Sequence, residues 1–159
     1  RVSPDPDSSP IQCGEVPLAP AADPPPALGA ASLKWGEFLR AQILWELTRW
    51  RTYQALARAP GSGGGSRLAA LALGRAKRMA AGLFLLTGVW YLPRSRATPR
   101  SWKTSREGYR LLFQGAQRAE LRYRAAAQNN PDPVLGDLFR ALAAESAREQ
   151  RQLLQLLSQ

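Results

Sequence analysis

The sequence contains no histidine, and its single cysteine is Cys13. The absence of histidine excludes histidine-based catalytic triads, histidine general bases and histidine metal ligands. A lone cysteine cannot form a disulfide within the chain, and no zinc-binding spacing of cysteines is present. Catalysis by imidazole or by paired thiols is therefore excluded.

Long apolar runs are also missing. The longest, at residues 79–86, is far shorter than the roughly 18 consecutive apolar residues of a membrane span. We therefore expect no transmembrane segment. A cytoplasmic location is favoured, although the start at Arg1 leaves targeting open.

Acidic side chains are scarce, with 12 Asp and Glu against 22 Lys and Arg and a formal net charge of +10. Residues 1–33 hold one basic and four acidic side chains, so residues 34–159 hold 21 basic and 8 acidic ones. Such a field attracts nucleic acid, anionic membrane or acidic proteins without selecting among them. A non-specific anionic partner is one open interpretation.

Prolines are concentrated at the start of the chain, with eight of the 13 in residues 1–31. Proline blocks helices, and this segment shows no apolar periodicity. We predict a disordered Pro-rich arm at residues 1–31 and one domain at residues 32–159.

Apolar residues at steps of three and four predict four helices in that domain. Their expected ranges are about 32–58, 66–87, 105–128 and 134–157. Ser32 is a good N-cap for the first helix, and Gly88 is a typical glycine stop for the second. The middle connection, residues 89–104, is long for a compact domain. The pattern predicts an all-α four-helix bundle, two helical hairpins joined by a long crossover.

A few charged residues interrupt the apolar stripes: Glu46 in the first helix, Arg75 in the second, and Glu145 with Arg148 in the fourth. Pointing inward, these four would form a charge-balanced cluster. The alternative is that both arginines extend to solvent. If the cluster forms, Glu145→Ala should destabilise the fold by at least about 2 kcal/mol, because it leaves Arg148 unpaired.

The two predicted hairpins also match each other weakly. Residues 50–57 align with residues 120–127, which superposes Tyr53 on Tyr123, and residues 75–79 align with residues 148–152. This match indicates an internal duplication.

Residues 33–157 resemble the small rubrerythrin-like proteins of the ferritin-like superfamily. Three features carry the resemblance: Glu46 seven residues before Tyr53, the run at residues 80–88 before a long connection, and Glu145-x-x-Arg148 where the family carries Glu-x-x-His. The resemblance implies a ferritin-like bundle. In that family two helices each give one Glu and two give Glu-x-x-His to hold two irons.

Carrying the ligand positions over gives the following set: Glu46, Ala72, Arg75, Ala116, Glu145 and Arg148. Only two of the six are carboxylates, and arginine stands where both histidines would be. We therefore expect a degenerate site without a cofactor. The resemblance then implies a non-catalytic bundle that acts through protein contacts, with a protein partner or as a homodimer.

Two catalytic alternatives stay open. One is an iron-binding oxidoreductase with a reduced ligand set of Glu46 and Glu145 with Glu120 or Glu149. The other uses Glu46 and Glu145 as a general acid/base pair, although no nucleophile or cofactor motif accompanies them.

The middle connection mixes cations with aromatics, which suits phosphates and unstacked bases. Trp90 and Tyr91 begin this stretch. The candidate anion or nucleic-acid surface consists of Arg94, Arg96, Arg100, Trp102, Lys103 and Arg106. The alternative is that the tryptophans pin the connection to the bundle.

Trp45 and Trp50, five residues apart, cannot both face the core, so one of them could mark a subunit interface.

Overall fold

The structure, a computed structural model, describes residues 16–21, 28–60 and 63–159, with the side chains of α1 described from residue 33 onward. It contains four α-helices: α1 (Leu28–Ala57), α2 (Gly65–Thr87), α3 (Ser105–Ala127) and α4 (Pro133–Leu157). A 3-10 turn at Arg94–Arg96 lies between α2 and α3, and no strand occurs in the described ranges. The predicted all-α bundle of four helices is confirmed.

Helix α1 begins at Leu28, four residues before the predicted start at Ser32. The last proline before this helix is Pro26, and Ala30 and Ala31 follow it. Alanine is the best helix former, so Ala30 and Ala31 favour the earlier start, and only Gly29 opposes it. Ser32, although a good capping residue, therefore lies inside α1 and not at its beginning.

The other helices begin or end where local chemistry satisfies their free backbone groups. The Thr104 hydroxyl accepts a hydrogen bond from the backbone N–H of Glu107 at the start of α3. The Asp132 carboxylate accepts hydrogen bonds from two backbone N–H groups at the start of α4. Gly88 ends α2 in the left-handed conformation, with φ of 75°, which confirms the predicted glycine stop.

Helix α1 packs mainly on α2, and α3 packs mainly on α4, which gives two helical hairpins. The apolar core forms two clusters. One lies around Trp35, Phe38 and Phe139, and the other lies around Tyr53 and Leu153. Polar side chains from the middle of the helices lie between these clusters.

Helix α1 is the most enclosed element, because every residue from 42 to 49 is buried. The connection between α2 and α3 covers part of it. The backbone N–H of Arg100 donates to Thr52 Oγ1 at 3.0 Å, and Arg51 Nη2 donates to the Arg94 carbonyl at 3.4 Å. Polar side chains on every face of residues 42–49 are therefore buried.

Residues 16–21 lie against the bundle, although they belong to the segment predicted as a disordered arm. Val16 is buried in the first apolar cluster, and Lys34 Nζ donates to the Ala21 carbonyl at 3.2 Å. An apolar side chain with a place in the core explains the difference. The rest of the predicted arm up to residue 27 lies outside the described residues.

Two glycines of α2 provide a test of helix packing. A Cβ atom at Gly65 would lie 3.1 Å from the Tyr53 carbonyl oxygen, whereas one at Gly74 would meet nothing within 4 Å. We expect Gly65→Ala to lower the free energy of unfolding by about 1–3 kcal/mol through overpacking. Gly74→Ala should raise it by about 0.5–1 kcal/mol through helix propensity. Urea unfolding measures both, and effects of the same sign would contradict this packing.

Candidate functional site

Three charged side chains meet at the centre of the bundle although they are almost fully buried. Glu46 is 0 % exposed, Arg75 1 % and Glu149 2 %. They come from α1, α2 and α4, respectively. On α2 the small residues Ala72, three positions before Arg75, and Ala76, directly after it, are both fully buried. Their small size leaves room for the guanidinium in the interior.

The Arg75 guanidinium bridges the two carboxylates. Its Nε donates to Glu46 Oε2 at 3.0 Å, and its Nη2 donates to Glu149 Oε1 at 2.6 Å. Charge-assisted hydrogen bonds of this kind are stronger than neutral ones. Because Glu46 belongs to the first hairpin and Glu149 to the second, this bridge joins the two hairpins.

Arg49 and two tyrosines complete the arrangement. Arg49 Nη2 and the Tyr53 hydroxyl both donate to Glu149 Oε2. The Tyr123 hydroxyl donates to Glu46 Oε2 at 2.7 Å. We refer to the six residues as the core ion network; they are Glu46, Arg49, Tyr53, Arg75, Tyr123 and Glu149. All four helices contribute to it.

The buried charges of the core ion network balance, with two carboxylates against two guanidiniums. Glu145 lies at the margin, where its side chain is 18 % exposed. Its Oε1 is 3.8 Å from Arg75 Nη1, and its Oε2 is 2.5 Å from Nη2 of the more exposed Arg78. Glu145 therefore pairs chiefly with a partner at the surface.

Neighbouring charges shift the pKa values of Glu149 and Arg75 in the directions that favour their charged forms. Burial alone would raise the pKa of Glu149, but Arg49, Arg75 and the Tyr53 hydrogen bond outweigh burial and lower it. Burial likewise opposes the charge of Arg75, yet Glu149 and Glu46 raise its pKa well above the ordinary value. Arg49, Arg75 and Glu149 therefore hold one another in the charged state.

The pKa values of Tyr53 and Tyr123 are raised, whereas the pKa of Glu149 is lowered. Burial, followed by the negative charge of Glu149, raises the pKa of Tyr53 well above its ordinary value. Burial and the charge of Glu46 do the same for Tyr123. Both tyrosines therefore stay neutral and act as hydrogen-bond donors.

The structure brings together only part of the four-residue cluster expected from the sequence. Glu46 and Arg75 meet as expected, but Arg148 is exposed and Glu149 takes the inward position. One residue turns a helix by about 100°, so a phase error of one residue exchanges these side chains. The expected inward position of Arg148 is therefore wrong. The other two carried-over positions, Ala72 and Ala116, are buried.

Arg49 is not among the residues predicted for the site, and Tyr53 enters the predictions through the family resemblance and the match between the two hairpins. A signal was present, because Glu46, Arg49 and Tyr53 follow one another at steps of three and four. Residues at that spacing share one face of a helix.

The carboxylates of this site do not fit a metal centre. The cation of Arg75 already stands between Glu46 and Glu149, and a guanidinium cannot ligate a metal. Glu120 instead accepts a hydrogen bond from Gln150 Nε2 at 2.8 Å and pairs with Arg124. Across residues 16–21, 28–60 and 63–159, no three acidic or cysteine side chains converge as a metal site.

A second aromatic and cationic arrangement lies beside the network. Trp45 is buried, with the guanidinium carbons of Arg49 and Arg122 at 4.7 Å and 4.4 Å from its ring centroid. Trp50 is only partly buried and stacks with Arg51. Next to Trp45 is a cavity of about 20 Å³, which has room for about one water molecule. Thr48 also lines this cavity.

Most cations of the candidate anion surface are exposed; these are Arg94, Arg96, Lys103 and Arg106. Trp102 instead packs against the second apolar cluster, and Arg100 is partly buried. Trp102 therefore helps to hold the connection on the bundle. Binding of an anion or nucleic acid by these residues stays a prediction.

Searches of known protein families, of curated proteins and of solved structures find no match for this chain. Within the part of the chain that the structure describes, no helix has the length and apolar character needed to cross a bilayer.

The network predicts where a lost carboxylate is most harmful. We expect Glu149→Ala to lower the free energy of unfolding by about 3–5 kcal/mol, because it leaves buried arginine charge uncompensated. Glu145→Ala is the matched control and should cost less than about 1 kcal/mol, because its main partner is exposed. The large loss of stability that the sequence predicts for Glu145→Ala is therefore expected for Glu149→Ala instead. Urea unfolding compares the variants, and an equal or larger loss at Glu145 would contradict this assignment.

The pKa of Glu149 also predicts a pH dependence. The folded-state pKa lies below the ordinary value of 4.5, so the unfolded state binds more protons in the window between the two values. The stability from Glu149 is therefore present above about pH 4.5 and is lost as the pH falls through the folded-state pKa. Unfolding measured across this window should show a shallower pH dependence for Glu149→Gln. An identical slope in both proteins would rule out this linkage.

Proposed function

We propose that this chain is a non-catalytic, metal-free bundle of the rubrerythrin-like kind that acts through protein contacts. One observation carries the proposal: the guanidinium of Arg75 stands between Glu46 and Glu149 at the centre of the four helices. The proposal includes descent from a di-iron protein, with the core ion network in the place of the metal centre.

The path of the chain supports the ferritin-like topology. A Cβ atom at Gly82, near the end of α2, would lie 3.2 Å from Leu138 in α4. One at Gly108, near the start of α3, would lie 2.9 Å from Leu56 at the end of α1. The end of α2 and the start of α3 thus have different neighbours, as expected when residues 88–104 travel along the bundle.

The pairing of the tyrosines supports descent from a duplicated hairpin. Tyr53 of the first hairpin donates to Glu149 of the second, and Tyr123 of the second donates to Glu46 of the first. On α4, Ser146 and Glu149 are buried three residues apart, as Ala72 and Arg75 are on α2. In this proposal, Ser146 and Glu149 take the former ligand positions on α4 instead of Glu145 and Arg148.

The electrostatics favour a structural role over acid/base catalysis. A carboxyl group that works as a general acid or base near neutral pH needs a raised pKa. The pKa of Glu149 is lowered, and both of its oxygens already accept hydrogen bonds from arginine or tyrosine. The network is therefore well suited to hold its charges and poorly suited to transfer a proton.

Metal loading tests the proposal. The full chain is incubated with Fe²⁺ or Mn²⁺ without oxygen, desalted and analysed for bound metal. We expect far less than one ion per chain, and no difference between the native protein and Glu46→Gln, because Arg75 occupies the space between the carboxylates. Stoichiometric iron that is lost in Glu46→Gln would overturn the proposal and favour the oxidoreductase alternative.

Light scattering during size-exclusion chromatography tests the contact part of the proposal. A mass of two chains at rising concentration supports a homodimer. A mass of one chain at every concentration would contradict the homodimer.

A further inference from the structure

The chain carries no acidic residue between Glu46 and Glu107, although this stretch contains 12 lysines and arginines. Helix α2 lies wholly inside the stretch. Lys77 and Arg78 are exposed on its outer side, where Arg78 pairs with Glu145 of α4. Because α2 itself contains no acidic residue, its outer side still carries net positive charge, to which the exposed Lys77 contributes.

The same helix exposes large apolar side chains. Leu85 is 77 % exposed, and Trp90, just after the helix end, is 57 % exposed. Leu71 lies fourteen residues before Leu85 and so at nearly the same rotational position on α2. We define the α2 face as the following exposed residues: Leu71, Lys77, Phe84, Leu85, Val89 and Trp90.

Charge decides among the possible occupants of the α2 face. A second copy would bring two cationic helices together, and like charges repel. Nucleic acid would match the cations but would leave Leu85 and Val89 without apolar partners. An anionic lipid surface matches both, because headgroups attract Lys and Arg while Leu, Phe and Trp enter the boundary of the acyl chains.

We propose that the α2 face docks on a membrane surface rich in anionic headgroups. The helix lies in the plane of the interface, with Leu85 and Trp90 inserted and Lys77 near the phosphates. Tryptophan is typical of this depth, since its ring is amphipathic. The inference uses no residue of the core ion network, so it stands or falls independently of the proposed function.

Vesicle binding by the full chain tests the inference. The chain is mixed with vesicles of phosphatidylcholine alone or with phosphatidylserine, and the bound fraction is measured by co-sedimentation. We expect binding only to the anionic vesicles and weaker binding as salt is added. Lys77→Gln should reduce the association constant about fivefold.

Leu85→Asp should reduce the association constant by at least about tenfold, because it places a carboxylate among headgroups of the same sign. Leu121→Asp is the matched control, since Leu121 is 65 % exposed on α3. It should bind like the native chain. Both positions are exposed, and circular dichroism with thermal unfolding confirms that both variants fold.

Four results would overturn the inference. They are no binding to anionic vesicles, an equal loss in Leu121→Asp, a dimer that Leu85→Asp dissociates, and binding of mixed-sequence DNA that depends on Lys77 but is unchanged in Leu85→Asp. The third result would identify the α2 face as a subunit interface, and the fourth would identify it as a nucleic-acid surface.

Discussion

The bridge from Arg75 to Glu46 and Glu149 is the interaction on which the arrangement of the bundle depends. Removing charged groups from water is costly, and their mutual attraction largely offsets that cost. The bridge therefore adds little net stability over a well-packed apolar core, while the loss of one member is severe. Its main effect in this chain is to hold α1, α2 and α4 in one register, because a shifted helix would leave a buried charge unpaired.

The two carboxylates of the network differ in their hydrogen bonding. Both oxygens of Glu149 accept hydrogen bonds, as does Oε2 of Glu46, whereas the buried Oε1 of Glu46 accepts none and lies 3.9 Å from Arg49 Nε. Glu149 therefore has few lone pairs left for a metal or a substrate. The contacts that lower the pKa of Glu149 also occupy its oxygens.

The sequence predicts the elements well, because amphipathic periodicity and turn chemistry act locally. The spacing leaves the direction of Arg75 open. Four helices, the stop at Gly88 and the burial of Glu46 follow from spacing along the chain. The choice between Arg148 and Glu149 does not, since one residue turns the helix by about 100° and only the tertiary packing determines the phase.

Other features depend on tertiary structure even more strongly. Helix α1 is covered on all sides from residue 42 to residue 49, so a pattern that assumes one buried face cannot identify Arg49 as an interior residue. The burial of Val16 requires a core formed by residues far along the chain. The burial of Val16 leaves no periodic signal in its own segment, and the spacing of Glu46, Arg49 and Tyr53 shows only that the three share one face of the helix.

The distribution of the network between the hairpins has a consequence for folding. The first hairpin contributes Glu46, Arg49 and Arg75 and therefore carries one excess positive charge in its interior face, whereas the second contributes Glu149 and carries one negative charge. Neither half balances its own share of the network charge. Each hairpin thus serves as the counterion of the other, and the bundle gains its stable core only when both are in place. Such mutual dependence couples the two halves into one cooperative folding unit.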